Sequence, residues 1–402
     1  MSRPTTKGFF VRERLHEARL ARGLTQKDIA EALGCSIAPI SKWEKGTAAP
    51  SPSALEDLAQ VLGVKVGFFS KSVPGHGDTP IFFRSLANAA KKARNREEAR
   101  IRWLQDISLT LQETLEFPPV DVPDLMGDRS YHNLTHDELE GIAANLRTHW
   151  GCGEGPINDI MMLCENAGIV IGLDYANSNA IDGQGTWSAA DHRPYMLLAI
   201  DKENAFRRAM DCAHELAHII LHQKITDKDL KRDFNKIEDQ AKYLAGAILL
   251  PYRSLANELY SLTLDGFLHL KPRWGVSVGA IIFRAMQTDI ISKQHAQRLW
   301  RYRTARGWNR KEPLDSPEET PVPKPKLLKR AIDLLVENKI RTKRDLIEQD
   351  FCLGEDDIEM LASLESGYFD NIISNLVRLE PTVKATSSSG DSAEVIPFRR
   401  PN

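Results

Sequence analysis

Five cysteines, at positions 35, 152, 164, 212 and 352, are all that 402 residues carry, and no two are spaced as C-x-x-C. An odd, scattered set excludes a disulfide frame and a cysteine-only zinc site, and reads as reduced thiols. No apolar run is long enough to cross a bilayer, and the first residues show no signal-peptide pattern. A cytoplasmic location with no membrane partner is therefore expected. Neither sign of charge dominates: 53 Lys and Arg against 55 Asp and Glu leave a formal charge of −2. Any contact with nucleic acid must then come from a local patch. Histidine is also scarce, at 11 residues, so a cluster of histidines carries information. The length suggests two or three domains with ample core.

One such cluster is His214-Glu215-Leu216-Ala217-His218, inside the apolar run Cys212 to Leu221. An H-E-x-x-H pentad on a helix sets two imidazoles one turn apart on one face, about 6 Å along the axis. Both rings can then reach one tetrahedral zinc ion. Glu215 cannot ligate from the same angle, but it can stand beside the open position as the general base for a water. Burying such a trio in an apolar helix is costly unless something coordinates or hydrogen-bonds it. His222 makes a poor third ligand, because eight residues of helix put it about 12 Å from His214. A second helix, Ile237 to Leu250 and stopped by Pro251, offers Glu238 in its first turn, with Asp239 as the rival. Ala241, Ala245 and Gly246 would let this helix approach the first closely. An acidic residue favoured at a helix N-terminus is the ordinary alternative for Glu238.

These residues resemble the ImmA/IrrE-type metallopeptidases. In that family the H-E-x-x-H helix continues into an L-L-H-like run, here Ile219 to His222. A helix of the form E-x-x-A-x-x-(F/L)-A-x-x-x-L-x-P follows, here Glu238 to Pro251. Ala217, where glycine is common, and Leu244, where an aromatic is common, depart from the pattern without touching the chemistry. The resemblance implies a zincin-like fold, Zn2+ as cofactor, and cleavage of DNA-binding repressors.

Near the start of the chain, Thr25 caps a short helix to Leu33, Gly34 turns the chain, and Ser36 caps a second helix to Lys45. Pro39 falls in that helix's first turn, where a missing N–H does no harm. Short helix, glycine turn and short helix in a five-helix unit is the helix-turn-helix arrangement. Leu24-Thr25-Gln26, Ile29-Ala30, Gly34, Ile40-Ser41, Trp43 to Gly46 and Pro50 resemble the lambda-repressor-like (Cro/Xre) family over about sixty residues. By correspondence Ile37, Ala38 and Lys42 face base edges in the major groove, while Gln26, Ser36, Ser41 and Lys45 hold phosphates. Ile37 and Ala38 can offer only apolar contacts, for example to thymine methyls.

The expected fold is mainly α with a small α+β domain. A helix-turn-helix DNA-binding domain occupies 8–70, and a linker with a long connecting helix 71–134. The zincin-like domain, a small β-sheet plus the H-E-x-x-H helix, occupies 135–310. A linker at 311–326, a small helical module at 327–380 and a disordered tail at 381–402 follow. The basic connecting helix is expected as a solvated spacer or dimer arm. Strands are expected at 168–173, 183–189 and 195–200, with Trp187 to Arg193 as an edge for peptide addition. Two functions stay open. In one the chain is a regulator that binds a double-stranded operator as a homodimer and hydrolyses a repressor or other partner protein, even its own head, on a signal. In the other it is a non-catalytic repressor or antitoxin whose metal domain senses or scaffolds.

Overall fold

The computed structural model describes residues 10–75, 81–83, 91–176, 182–201 and 203–370. The expected tail at 381–402 lies outside the described residues, as do parts of the expected linker and the end of the C-terminal module.

The head begins with α1 (Arg12–Ala21), α2 (Gln26–Ala32), α3 (Ile37–Glu44) and α4 (Pro52–Leu62). The fifth element of the bundle is a single 3-10 segment, Val66–Ser70. Thr25 and Asp28 form a reciprocal capping box at the start of α2, at 3.2 and 2.7 Å, satisfying two orphan donors. Ser36 stands at the N-cap of α3 but makes no capping hydrogen bond through its side chain. It is exposed, so water can serve the free N–H groups. Leu15, Ala18, Ile29, Ile40, Leu58 and Leu62 form the apolar centre.

Next come β1 (Phe82–Phe83), α5 (Lys91–Gln112), α6 (His136–His149) and α7 (Ile160–Asn166). Three strands follow: β2 (Val170–Asp174), β3 (Gly183–Ser188) and β4 (Arg193–Ala199). Among the described residues the sheet has the order β1-β3-β4-β2. The β2–β4 pair is parallel and the other two are antiparallel. The segment expected as a peptide edge, Trp187 to Arg193, is instead the β3–β4 hairpin end, where Ser188 pairs with Arg193. The outer edge of β3 that is used lies at Gln184 and Gly185, and β1 occupies it.

The site helix α8 (Ala205–Leu221) precedes α9 (Asp227–Arg232) and α10 (Phe234–Leu249). The helices α11 (Tyr252–Glu258), α12 (Leu264–Trp274), α13 (Val278–Gln287) and α14 (Lys293–Ala305) complete that body. The C-terminal module holds α15 (Leu327–Glu337), α16 (Lys343–Asp345) running into a π-helical turn to Phe351, and α17 (Glu355–Leu361).

The connecting helix is not a solvated arm. Ile101, Trp103, Leu104, Ile107 and Leu111 of α5 are buried in one core with Leu15 and Phe68 of the head, Val170 and Leu197 of the sheet, and Ile332 and Ile358 of the module. Lys91 and Lys92 at its start are exposed, but Arg100 further along is buried and used internally. The Arg100 guanidinium donates to Asp174 at 2.7 and 3.1 Å and to Asp357 of α17, which also accepts from Arg22 of the head at 3.0 Å. A buried cation is tolerated only when carboxylates surround it in this way. At the start of the expected linker 311–326, Glu312 is 2% exposed and accepts from the backbone of Val278 and Gly279 at 2.8 and 3.0 Å.

Candidate metal centre

Helix α8 starts at Asn204, whose side chain accepts from the Arg207 N–H at 2.9 Å. The helix then runs buried from Asp211 to Leu221, with one side on β3 and the other on α10. Close approach of α10 follows from Ala241, Ala245 and Gly246, all buried. Its first turns bring Glu238 over the two histidines.

The Nε2 atoms of His214 and His218 lie 3.1 Å apart, and the Glu238 carboxylate reaches them at 3.4 and 3.2 Å. All three residues are buried, at 1–3% exposure. Among the described residues these three form the one group of ligating side chains close enough to share an ion. The fit to a metal can be tested on these distances. Donors about 2.0–2.1 Å from a tetrahedral centre stand about 3.4 Å from one another. The observed edges match that triangle. Neither Glu238 oxygen has a hydrogen-bond partner of good geometry, although both are buried. An orphaned buried carboxylate is costly, and a cation at the centre of the triangle removes that cost. Burial works to raise the Glu238 carboxyl, but His214 and His218 outweigh it and hold it down at about 2. Asp239, the rival, is exposed and outside the group.

His222 is not part of the triangle. Its Nδ1 lies 3.0 Å from His218 Nδ1, and its Nε2 lies 3.3 Å from the Gln240 side-chain oxygen. The Gln240 amide in turn donates to the Tyr131 carbonyl at 2.6 Å. With His218 Nε2 turned to the triangle, its Nδ1–H donates to His222, and the chain of donors runs outward to that carbonyl. Burial, then the neighbouring His218, push the His222 imidazole well below its usual range, so it stays neutral. Metal-ligating histidines depend on such partners for tautomer and orientation. From the sequence, His222 is a poor third ligand and the last residue of the L-L-H-like run. Its four-residue spacing from His218 is also the signal for this supporting contact.

Glu215 is 2% exposed and lies against β3. A Cβ added to Gly183 would stand 3.1 Å from Glu215 Oε1, and one on Gly185 3.3 Å from Oε2. The two glycines therefore make the space that the carboxylate uses. Arg207, on the same helix, is paired with Asp182 and Asp211. An adjoining cavity of about 400 Å³ touches His214, Lys242, Phe283 and Trp308.

In the head, Ile37, Ala38, Lys42 and Lys45 are exposed on or beside α3, and Ser41 is half-buried. Gln26 donates to Glu44 at 2.8 Å, so its side chain is held at the α2–α3 contact.

Residues 15–69 match the family model described as helix-turn-helix, and residues 164–286 match that of the IrrE N-terminal-like domain. The chain joins a Cro/Xre-type helix-turn-helix domain to an IrrE/ImmA-like domain. It is 35% identical over 75 residues to an uncharacterised HTH-type transcriptional regulator of Sinorhizobium medicae (strain WSM419), covering 19% of this chain and 54% of that protein. It is also 41% identical over 66 residues to the HTH-type transcriptional regulator DdrOP3 of Deinococcus deserti, covering 16% and 51%. The chain thus spans about half the length of the curated relatives it matches. No helix among the described residues is long and apolar enough to cross a membrane. The triangle and Glu215 all fall within the IrrE-like match, and α2 and α3 within the helix-turn-helix match.

Proposed function

We propose that the chain is a cytoplasmic DNA-binding transcriptional regulator whose IrrE-like domain is a zinc-dependent peptidase acting on a repressor or other partner protein. The observation that carries this reading is the convergence of His214, His218 and Glu238 beside Glu215, on a chain that also bears the helix-turn-helix domain.

His214, His218 and Glu238 would hold the ion, and the ion when bound supplies Lewis-acid polarisation of a peptide carbonyl. Glu215 takes a proton from the attacking water and passes it to the amine that leaves as the C–N bond breaks. His222 and Gln240 fix the His218 ring so that Nε2 faces inward. At the head, Ile37, Ala38 and Lys42 address base edges, Gln26, Ser36, Ser41 and Lys45 address phosphates, and two copies read paired half-sites as a homodimer.

Burial supports a second reading. Glu215 and the three candidate ligands are all within 3% of full enclosure, which suits a non-catalytic repressor or antitoxin with a metal scaffold. Glu215→Gln separates the two. This substitution keeps size and most hydrogen bonding but removes the base. The expected outcome is retained zinc and operator binding with loss of partner cleavage. A promoter response equal to that of the wild type would establish the non-catalytic reading.

A further inference from the structure

The functional reading leaves β1 unexplained. Ile81 to Phe83 belong to the stretch between head and body, yet Phe82 is 1% exposed. Phe82 pairs with Gly185 and Phe83 with Gln184, antiparallel, on the outer edge of β3. The Phe82 ring stacks on His218 with centroids 4.8 Å apart and planes within 9°. It also meets the His222 ring at 5.9 Å. Tyr131, Ile225, Leu230 and Ile237 close the apolar pocket around it.

We infer that the outer edge of β3 is a binding site for an extended peptide with a large aromatic side chain, and that the chain's own segment 81–83 occupies it. The inference rests on the peptidase reading for what the site serves. Three features carry it. Main-chain pairing along an open edge is how a sheet takes an extended peptide, with alternate side chains read by pockets. Here the pocket is floored by the imidazole face of His218, with the His222 ring tilted at 42° beside it, a surface that favours a flat aromatic ring over an aliphatic chain. The strand being paired is also the one whose Gly183 and Gly185 lie against Glu215, so a backbone on this edge runs beside the candidate base. A strand of two residues has little hold of its own. It stays because it is tethered, at an effective concentration on the order of millimolar. An outside peptide must outcompete that tether, so the occupied edge is closed to partners until the segment leaves.

The test uses the full-length zinc-loaded chain in a Glu215→Gln background, which cannot cut. The probe is a fluorescein-labelled peptide copying residues 79–86, read by polarisation. Adding Phe82→Ala to the chain is expected to tighten probe binding at least tenfold, and an alanine at the probe's own Phe82 position should abolish it. Equal affinity with and without Phe82→Ala, or indifference to the alanine in the probe, would overturn the inference. Should Phe82→Ala impair folding, hydrogen exchange on the chain with Phe82 intact decides. Millimolar probe should speed exchange at 81–83 while leaving α8 protected, and unchanged exchange at 81–83 would refute the site. Partner cleavage by the wild type with no probe binding would remove this site and leave the peptidase reading standing. Probe binding by a chain that takes up no zinc would do the reverse.

Discussion

His222→Leu is the substitution that most directly tests the support behind the candidate metal centre. His222 is fully buried, and its Nδ1 is 3.0 Å from His218 Nδ1. Leucine fills a similar volume without offering an acceptor, so the His218 Nδ1–H is left buried and unpaired. A buried donor without a partner costs about 1–3 kcal/mol, and loss of a supporting contact of this kind weakens metal binding about 10–100-fold. The two figures agree, since that range of affinity corresponds to about 1.4–2.7 kcal/mol. Competition with a calibrated chelator at neutral pH should therefore show zinc held 10- to 100-fold more weakly, with α8 still folded by circular dichroism. His222→Gln, which can still accept, should recover part of the loss. Affinity within about twofold of wild type for His222→Leu would refute the reasoning, because the ring contact would then be packing alone.

The other expectations are more direct. Glu238→Gln should abolish stoichiometric zinc while Asp239→Asn leaves it intact, read by metal analysis of purified chains; the reverse ranking would assign the third ligand to Asp239. Lys42→Ala should cost about 1–3 kcal/mol at a specific operator and less on random duplex, measured across a salt series; equal losses on both would make Lys42 a phosphate contact. Glu44 is pushed up by burial, but hydrogen bonds from His16, Arg19 and Gln26 bring it down to about 2. Its contribution to head stability is thus present above about pH 4.5 and lost as pH falls toward 2. On the order of 2–3 kcal/mol should go across that window, and Glu44→Gln should flatten this part of the thermal-stability profile. A variant with the same slope as wild type would show that other carboxylates carry it.

What was legible in the sequence was local. The cap at Thr25, the turn at Gly34 and the apolar Ile29 and Ile40 are near neighbours in the chain, and they mark α2 and α3 without help from elsewhere. The H-E-x-x-H spacing is likewise one turn of one helix. Glu238 could be read as a candidate from its place in a helix with small residues and a terminal Pro251, but the 19 residues between His218 and Glu238 do not say how α10 folds back on α8, so Asp239 stayed open beside it. The burial of α5 was hidden for the same reason. Arg100 looks like one more residue in a basic run until its partners arrive from 74 and 257 positions away, as Asp174 and Asp357. Segment 81–83 gave no strand signal, since two residues have no periodicity and their pairing is decided by the edge they meet.

That shared core changes how the head has to be studied. A fragment ending near residue 75 would keep α1 to α4 but lose what they rest on. The Phe68 ring packs edge-on against Trp103 of α5 at 5.8 Å. Arg14, 1% exposed, pairs with Asp106 of the same helix. Val64 forms a β-bridge with Leu353 of the C-terminal module, and the Lys65 N–H donates to the Cys352 carbonyl at 3.0 Å. Cutting there would bare aromatic surface and strip a buried guanidinium of one of its carboxylates, a loss that runs to several kcal/mol for buried pairs. Weak DNA binding by such a fragment would report that damage and not the recognition chemistry of α3. Lys42→Ala in the full-length chain leaves every one of these contacts in place, so a change in operator affinity there belongs to the DNA interface itself.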